Sequence, residues 1–163
     1  MSILQDRIAI VEGGQYRYMR NSEGEFRRPA KLAQQLEGDV VFILDIDGIE
    51  RNSPNLETIK DIAAFKDVWL DAGTGNVDDM MDVFVNDASE VVLGTKSLES
   101  IDELVAATEL SDKIIFSIDY NEGIISPGKD IAQMEVDALI ERVTSLKGLD
   151  TAILMDLGSN MNK

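Results

Sequence analysis

Residues 40–76 have the sequence VVFILDIDGIERNSPNLETIKDIAAFKDVWLDAGTGN. This stretch contains two apolar runs, Val40 to Ile46 and Val68 to Asp71, and acidic residues or glycines stand at the end of each. Short, nearly continuous apolar runs are typical of parallel strands that are buried on both faces. We therefore predict two parallel strands here, with polar turns at their carboxyl ends.

The same alternation of strand and helix extends over the rest of the chain. Further apolar runs predict strands at residues 7–11, 91–94, 113–119 and 151–157. Between the runs, apolar residues recur every three to four positions, as in helices that cover a core on one side. The predicted helices run from Val77 to Val85 behind the N-cap Asn76, from Leu98 to Val105 behind Ser97, from Ile131 to Gly148 behind Pro127, and from Pro29 to Gly38.

This alternation predicts βαβ crossovers and a parallel sheet, in a single domain of residues 1–163. Two architectures fit the pattern, an open doubly wound sheet and a (βα) barrel. The chain provides about six βα units, whereas a full barrel normally has eight units in about 250 residues. In both architectures ligands bind at the carboxyl ends of the strands, so the turns that follow the strands are the expected place of a site.

The composition is that of a soluble globular protein, with 44% hydrophobic and 28% charged residues. The 31 acidic and 15 basic residues give a formal charge of −16, which disfavours nucleic acid and anionic membranes as partners. Cysteine and histidine are absent, which excludes disulfides, Cys or His zinc sites and His-based triads. We expect acid–base chemistry from Asp, Glu, Lys or Tyr, no cofactor, and, without a signal-peptide pattern, a cytoplasmic location.

Two turns after predicted strands suit phosphate binding. The turns Gly73 to Asn76 and Gly94 to Ser97 each combine glycine with hydroxyl groups. Each is predicted to run from a strand directly into a helix, whose N-terminus attracts anions. The alternative is that the same residues are ordinary helix caps.

Asp119 ends the apolar segment IIFSID and is the main candidate for acid–base chemistry. A carboxylate in such a place is costly unless a ligand or a cation uses it. The alternative is that Asp119 caps the following turn or pairs with a nearby lysine. Weaker candidates at other strand ends are Asp45, Asp47, Asp71 and Asp156. Several carboxylates at one edge of a sheet would also suit Mg²⁺.

A basic cluster follows the first predicted strand. It consists of Arg17, Arg20, Arg27 and Arg28, with Tyr16 and Tyr18 between them. We expect a long loop here, which either folds over a ligand or is simply solvated. Arginines in such a loop would suit an anionic substrate.

The order of these segments resembles that of one known family. The D-I-D-G-I segment from Asp45, the N-L-E-T-I segment from Asn55, the turns from Gly73 and Gly94, and the S-I-D-Y-N-E-G segment from Ser117 match it in order and spacing. The family is that of the ProFAR isomerase and cyclase of histidine biosynthesis (the HisA/HisF group), and the chain looks closest to a HisA-related archaeal group. The resemblance covers about residues 8–157. It implies a parallel (βα) barrel of the TIM type, here truncated to about six βα units.

The resemblance also implies a reaction, an Amadori rearrangement. In this reaction two aspartates open a phosphoribosylamine and convert an aldose into a ketose, without a metal. Asp119 matches the family's fifth-strand aspartate near the chemistry, and Asp156 or Asp6 would supply the second catalytic group. The residues that we expect to bind the substrate and its phosphate are Asp47, Gly73, Thr74, Gly75, Gly94 and Thr95. At Gly75 the family often has an arginine.

The chain departs from the family at both catalytic positions. Ile3 falls about where the first catalytic aspartate belongs, and Asn160 falls near the second. The match stops before strands seven and eight of the family, so we expect either that the sequence is a fragment or that a second copy of the chain covers the open sheet edges. Two functions are therefore in question. One is a HisA-like isomerase of a small phosphorylated sugar such as ProFAR, and the other is a diverged barrel that binds a phosphorylated ligand without this catalysis.

Overall fold

The computed structural model of the protein describes residues 8–12, 15–18, 38–84, 88–149 and 152–157. The strands in these ranges are β1 (Ile8–Glu12), β2 (Gln15–Tyr18), β3 (Val40–Asp45), β4 (Asp67–Asp71), β5 (Glu90–Gly94), β6 (Ile114–Tyr120) and β7 (Ala152–Asp156). The helices are α1 (Ile46–Arg51), α2 (Leu56–Ala63), α3 (Val77–Phe84), α4 (Ile101–Leu110), α5 (Lys129–Ala132) and α6 (Val136–Thr144). Each strand from β3 to β6 is followed by at least one helix.

The strands are hydrogen-bonded in the order β2-β1-β3-β4-β5-β6-β7. The pairs β1–β3, β3–β4, β4–β5 and β6–β7 are parallel. In these registers Leu44 lies opposite Asp71, and Asp119 lies opposite Met155. Parallel strands joined through helices are the predicted βα units, so the predicted α/β architecture is confirmed.

The segment after β1 differs from the predicted long loop. Residues Gln15–Tyr18 form β2, which pairs antiparallel with β1 so that Val11 lies opposite Tyr16. The loop prediction is therefore wrong for the residues from Tyr16 to Tyr18, because they form a strand that pairs with β1. The parts of this region that lie outside the described residues are Arg20, Arg27, Arg28 and the predicted helix from Pro29.

Contacts divide the chain into two compact units, Met1–Ala72 with Asp82–Val91 and Gly73–Met81 with Val92–Lys163. Large side chains buried in the first unit are Phe42, Ile43, Ile59, Ile62 and Leu70. Those buried in the second unit include Leu93, Leu98, Leu104, Phe116 and Ile118. Because β3 and β6 are buried on both faces, they are apolar along most of their length. Both strands also carry an acidic residue at or next to the carboxyl end.

Helix α3 has the predicted cap but a different buried face. Asn76 Oδ1 accepts a hydrogen bond from the N–H of Asp79 at 3.0 Å. Met81 is 46% exposed, whereas Met80 and Val83 are buried. The prediction that Met81 belongs to the buried apolar stripe is thus wrong. Met80 and Val83, three positions apart, face the core, and Met81 faces solvent.

Two other predicted helices have different bounds. Helix α4 begins at Ile101 behind Ser100, whose Oγ accepts the N–H of Glu103 at 3.3 Å, and not directly behind Ser97. The helix predicted from Ile131 to Gly148 is two helices, α5 and α6, because the backbone is extended at Glu135. Within the described ranges, no helix is long and apolar enough to cross a membrane.

Gly48 in α1 allows the helix to pack closely on the chain after β4. A Cβ atom at Gly48 would lie 2.6 Å from the carbonyl oxygen of Ala72, which is closer than real contacts allow. We expect Gly48→Ala to lower the free energy of unfolding by about 1–3 kcal/mol, despite alanine's better helix propensity. Urea denaturation would show this as a lower midpoint at unchanged slope. Glu50→Ala, an exposed change in the same helix, should leave the midpoint unchanged, and an equally stable Gly48→Ala protein would contradict the close packing.

Candidate functional site

Asp119, at the end of β6, is only 3% exposed and is held by the turn that follows β5. Its Oδ2 accepts the N–H of Lys96 at 3.1 Å, and its own N–H donates to Thr95 Oγ1 at 2.9 Å. The N–H of Thr95 in turn donates to the carbonyl oxygen of Ser117 at 2.9 Å. The turn thus fixes both the backbone and the carboxyl group of Asp119.

The surroundings of Asp119 favour its protonated form. Burial raises the pKa of Asp119 above its ordinary value of 3.8, although the Lys96 N–H, the Lys96 charge and the Thr95 hydroxyl oppose the rise. The carboxyl group therefore keeps its proton to a higher pH than an exposed aspartate does. The sequence left open that Asp119 only pairs with a nearby lysine, and Lys96 is such a lysine. A carboxyl group with a raised pKa nevertheless remains available for proton transfer.

In the turn after β4, several polar groups have no hydrogen-bond partner among the described residues. Thr74 is buried, and within the described residues its hydroxyl oxygen has no hydrogen-bond partner. Nor do the N–H groups of Thr74, Gly75 and Asn76 donate to any other residue of the described ranges. Gly73 has a φ of 74°, a left-handed conformation that favours glycine. Several donors on one tight turn are suited to an anion.

The N-terminus of α3, in contrast, is already capped. Glu103 Oε2 accepts the N–H of Val77 at 3.0 Å, and the Asn76 side chain accepts the N–H of Asp79. A carboxylate of the protein thus occupies the place where the helix dipole would attract a bound anion. The donors that remain for a ligand belong to the turn and not to the helix.

The turn after β5 is hydrogen-bonded within the protein. The N–H groups of residues 95–98 donate to Ser117 O, to Asp119 Oδ2 and, twice, to Gly94 O. The prediction that this turn runs directly into a helix is wrong, because α4 begins only at Ile101. Gly94 and Thr95 are both buried, and Thr95 is bonded to Asp119.

The two turns touch each other. The N–H of Glu99 donates to Gly75 O at 3.0 Å, and a Cβ atom at Gly75 would lie 2.6 Å from Ser97 O. Glycine is therefore needed at this position, and an arginine like that of many family members would not fit without a shift of the backbone. The contact brings the Gly73–Asn76 turn, Lys96 and Asp119 into one site of the second unit.

A separate acidic cluster lies at the end of β3 in the first unit. Asn55 Nδ2 donates to Asp45 Oδ1 and to Asp47 Oδ2, both at 2.8 Å, and Asn55 N donates to Asp45 Oδ2 at 2.6 Å. Arg51 also donates to Asp47 Oδ1, at 2.9 Å. Asp47, a predicted substrate-binding residue, is thus bonded to neighbouring side chains. Among the described residues, no three acidic groups are arranged to hold a metal ion.

The two predicted partners of Asp119 differ in what the structure describes. Asp156 is exposed and lies opposite Tyr120 in the register of β6 with β7. Because side chains alternate between the faces of a strand, Asp156 points to the face opposite that of Asp119. The structure therefore does not bring these two carboxyl groups together. Asp6 lies outside the described residues.

Ser117 was not singled out by the sequence as a site residue. It stands two positions before Asp119 on β6 and therefore on the same face of the sheet. Its hydroxyl is buried and has no partner among the described residues. The signal in the sequence is a polar residue at the alternate position of an otherwise apolar strand.

The chain has the sequence pattern of a protein family. The model of the family described as histidine biosynthesis protein matches residues 4–160, which include Asp119 and both turns. No curated protein matches the chain. The predicted resemblance to the HisA/HisF group and the predicted fold class, a parallel (βα) barrel of TIM type, are confirmed. The chain belongs to the histidine biosynthesis protein family.

Proposed function

We propose that this protein is a HisA-like isomerase, which converts a phosphoribosylamine such as ProFAR from an aldose into a ketose. The observation that carries the proposal is the Asp119 carboxyl group, which is buried and held by Lys96, in a turn that contacts the Gly73–Asn76 turn with its donors that have no partner among the described residues. The family to which the chain belongs supports the same class of reaction.

Asp119 would act on the protons of this rearrangement. Ring opening breaks the bond between C1 and the ring oxygen, and the oxygen takes a proton from an acid. As the ring opens, the nitrogen lone pair forms a C1=N double bond; a base then removes the proton from C2 to give an enolamine, and a proton added to C1 completes the aminoketose. Burial raises the pKa of Asp119, so its carboxyl group is suited to donate the first proton. Of the two partners expected from the sequence, Asp156 points to the opposite face of the sheet.

The phosphate of the substrate would bind at the Gly73–Asn76 turn. Among the described residues, three backbone N–H groups and the Thr74 hydroxyl have no partner there, and the turn that contacts Gly75 also carries Lys96. In a chain with a charge of −16, such local donors are what an anionic ligand requires.

The Thr74 hydroxyl provides a direct test of this phosphate site. We expect Thr74→Val, which keeps the shape of the side chain, to weaken binding of inorganic phosphate by about tenfold, since one hydrogen bond to a charged group is lost. Isothermal titration calorimetry measures the change. Thr144→Val, an exposed position on α6, is the matched control and should bind phosphate like the unchanged protein. Equal affinity of Thr74→Val and the control would locate phosphate elsewhere.

A second function is supported by the position of Asp156. Because Asp119 and Asp156 lie on opposite faces, the described site contains one suitable acid where the family reaction uses two. A protein that binds a phosphorylated sugar without converting it would have such a site. Incubation of the full chain with ProFAR separates the two functions. Conversion to the ketose supports the isomerase, and saturable binding of ProFAR without conversion supports the binding protein.

A further inference from the structure

We propose that the Ser117 hydroxyl and the Asp119 carboxyl group together bind one hydroxyl group of the sugar, which makes Ser117 a specificity-determining residue. The proposal rests on the proposed function and names the part of the ligand that this side of the site accepts. It begins from Ser117, which is 1% exposed and whose Oγ has no hydrogen-bond partner among the described residues. Buried hydroxyl groups are almost always hydrogen-bonded. A hydroxyl without a partner among the described residues is therefore suited to bond to a ligand.

The spacing along β6 suits a single hydroxyl group. Ser117 and Asp119 are two residues apart on the same face, which places their Cα atoms about 6.6 Å apart. An oxygen atom at about 2.8 Å from each side chain would bridge a gap of about 5.6 Å. A sugar hydroxyl in this position accepts a hydrogen bond from Ser117 and donates one to Asp119.

The neighbouring strands leave this bridging position to a ligand. On the β7 side, Ile153 lies opposite Ser117 and Met155 lies opposite Asp119, and neither side chain offers a strong hydrogen-bonding group. On the β5 side, Thr95 is already bonded to the N–H of Asp119 and to Ser117 O. Thr95 thus bonds to the Ser117 carbonyl and the Asp119 N–H, whereas the Ser117 hydroxyl has no partner among the described residues.

The same arrangement disfavours phosphate at this position. A phosphate group carries negative charge, which the Asp119 carboxyl group does not neutralise when it is protonated and repels when it is ionised. A sugar hydroxyl is neutral and can donate to the carboxyl group. The phosphate is thus expected at the Gly73–Asn76 turn and the sugar hydroxyl between Ser117 and Asp119.

Stability provides a test that does not depend on the ligand. If Ser117 serves the protein only as a binding group, Ser117→Ala removes an unsatisfied hydroxyl, and the Tm should rise by about 2 °C or more. Thr95→Val is the matched control, because its hydroxyl is bonded to the N–H of Asp119, and its Tm should fall by about 4 °C. A lower Tm for Ser117→Ala would assign its hydroxyl to the fold and overturn the proposal.

Binding of two probes then tests specificity. Calorimetric titration of Ser117→Ala with ribose 5-phosphate should give an affinity about five- to tenfold below that of the unchanged protein, with unchanged affinity for inorganic phosphate. Equal affinities of both proteins for ribose 5-phosphate would overturn the role of Ser117 while leaving the phosphate site and the proposed function intact. If the unchanged protein binds neither ribose 5-phosphate nor inorganic phosphate, the role of Ser117 and the proposed function are both overturned.

Discussion

Asp119→Asn is expected to lower kcat/KM for the isomerisation by about 10²- to 10⁴-fold, the usual contribution of a positioned acid or base. The asparagine side chain has the same shape and keeps an oxygen that can accept the N–H of Lys96. It cannot transfer a proton at any pH of the assay. The conversion of ProFAR by purified protein, followed as ketose formed against time, gives the ratio of the two rates.

The control for this change is Asp112→Asn, an exposed position in the loop before β6. It makes the same chemical change and should leave the rate unchanged. Stability separates catalysis from folding, because an amide of the same shape replaces the buried carboxyl group and should not lower the urea midpoint. A rate loss in Asp119→Asn that is accompanied by an equal loss of folded protein would contradict the catalytic role.

The pH dependence of the rate has a definite sign. Burial raises the pKa of Asp119 above 3.8, so the acid form persists to a higher pH than in an exposed aspartate. If Asp119 is the proton donor, kcat/KM falls as the pH rises through this raised pKa. The contribution of Asp119 to the free energy of unfolding also falls as the pH rises. It is fully present below the ordinary pKa and is lost as the pH rises through the folded pKa, and Asp119→Asn should abolish this part of the pH dependence.

Most of the strands were predictable because buried parallel strands need apolar residues on both faces. The run from Val40 to Ile46 therefore predicted β3, and the run around Phe116 predicted β6. The sequence did not predict β2 because its four residues, Gln15–Tyr18, are mostly polar and lack an apolar run. The start of α4 was misjudged because Ser97 and Ser100 are both suitable caps, and only the contacts of the turn decide between them.

The location of the site was predictable, but its internal bonding was not. Asp119 and the two glycine turns stand at strand ends, where a sequence pattern can place them. The bonds between Lys96 and Asp119 and between Glu103 and Val77 join residues more than 20 positions apart in the chain. Such contacts decide which turn has donors left for a ligand. The face of Asp156 depends on strand register, where a shift of one residue reverses the direction of a side chain.

Asn55→Ala, in the acidic cluster at the end of β3, is expected to destabilise the protein strongly. The Asn55 amide donates to both Asp45 and Asp47 at 2.8 Å, and the variant loses both bonds. Hydrogen bonds to charged groups contribute about 1.5–3 kcal/mol each, so the free energy of unfolding should fall by about 3 kcal/mol or more. Asn121→Ala, an exposed position in the turn after β6, is the control and should stay within about 0.5 kcal/mol of the unchanged protein.

The size of this effect should depend on pH through Asp45. Burial raises the pKa of Asp45 above 3.8, and the bonds from Asn55 partly oppose the rise because they favour the ionised form. Without the Asn55 amide, the pKa of Asp45 should rise further. The stability difference between the two proteins should therefore be largest above the pKa of Asp45 and shrink as the pH falls through it. Urea denaturation across this range measures the difference, and a difference that grows on acidification would show that Asn55 supports the neutral form of Asp45.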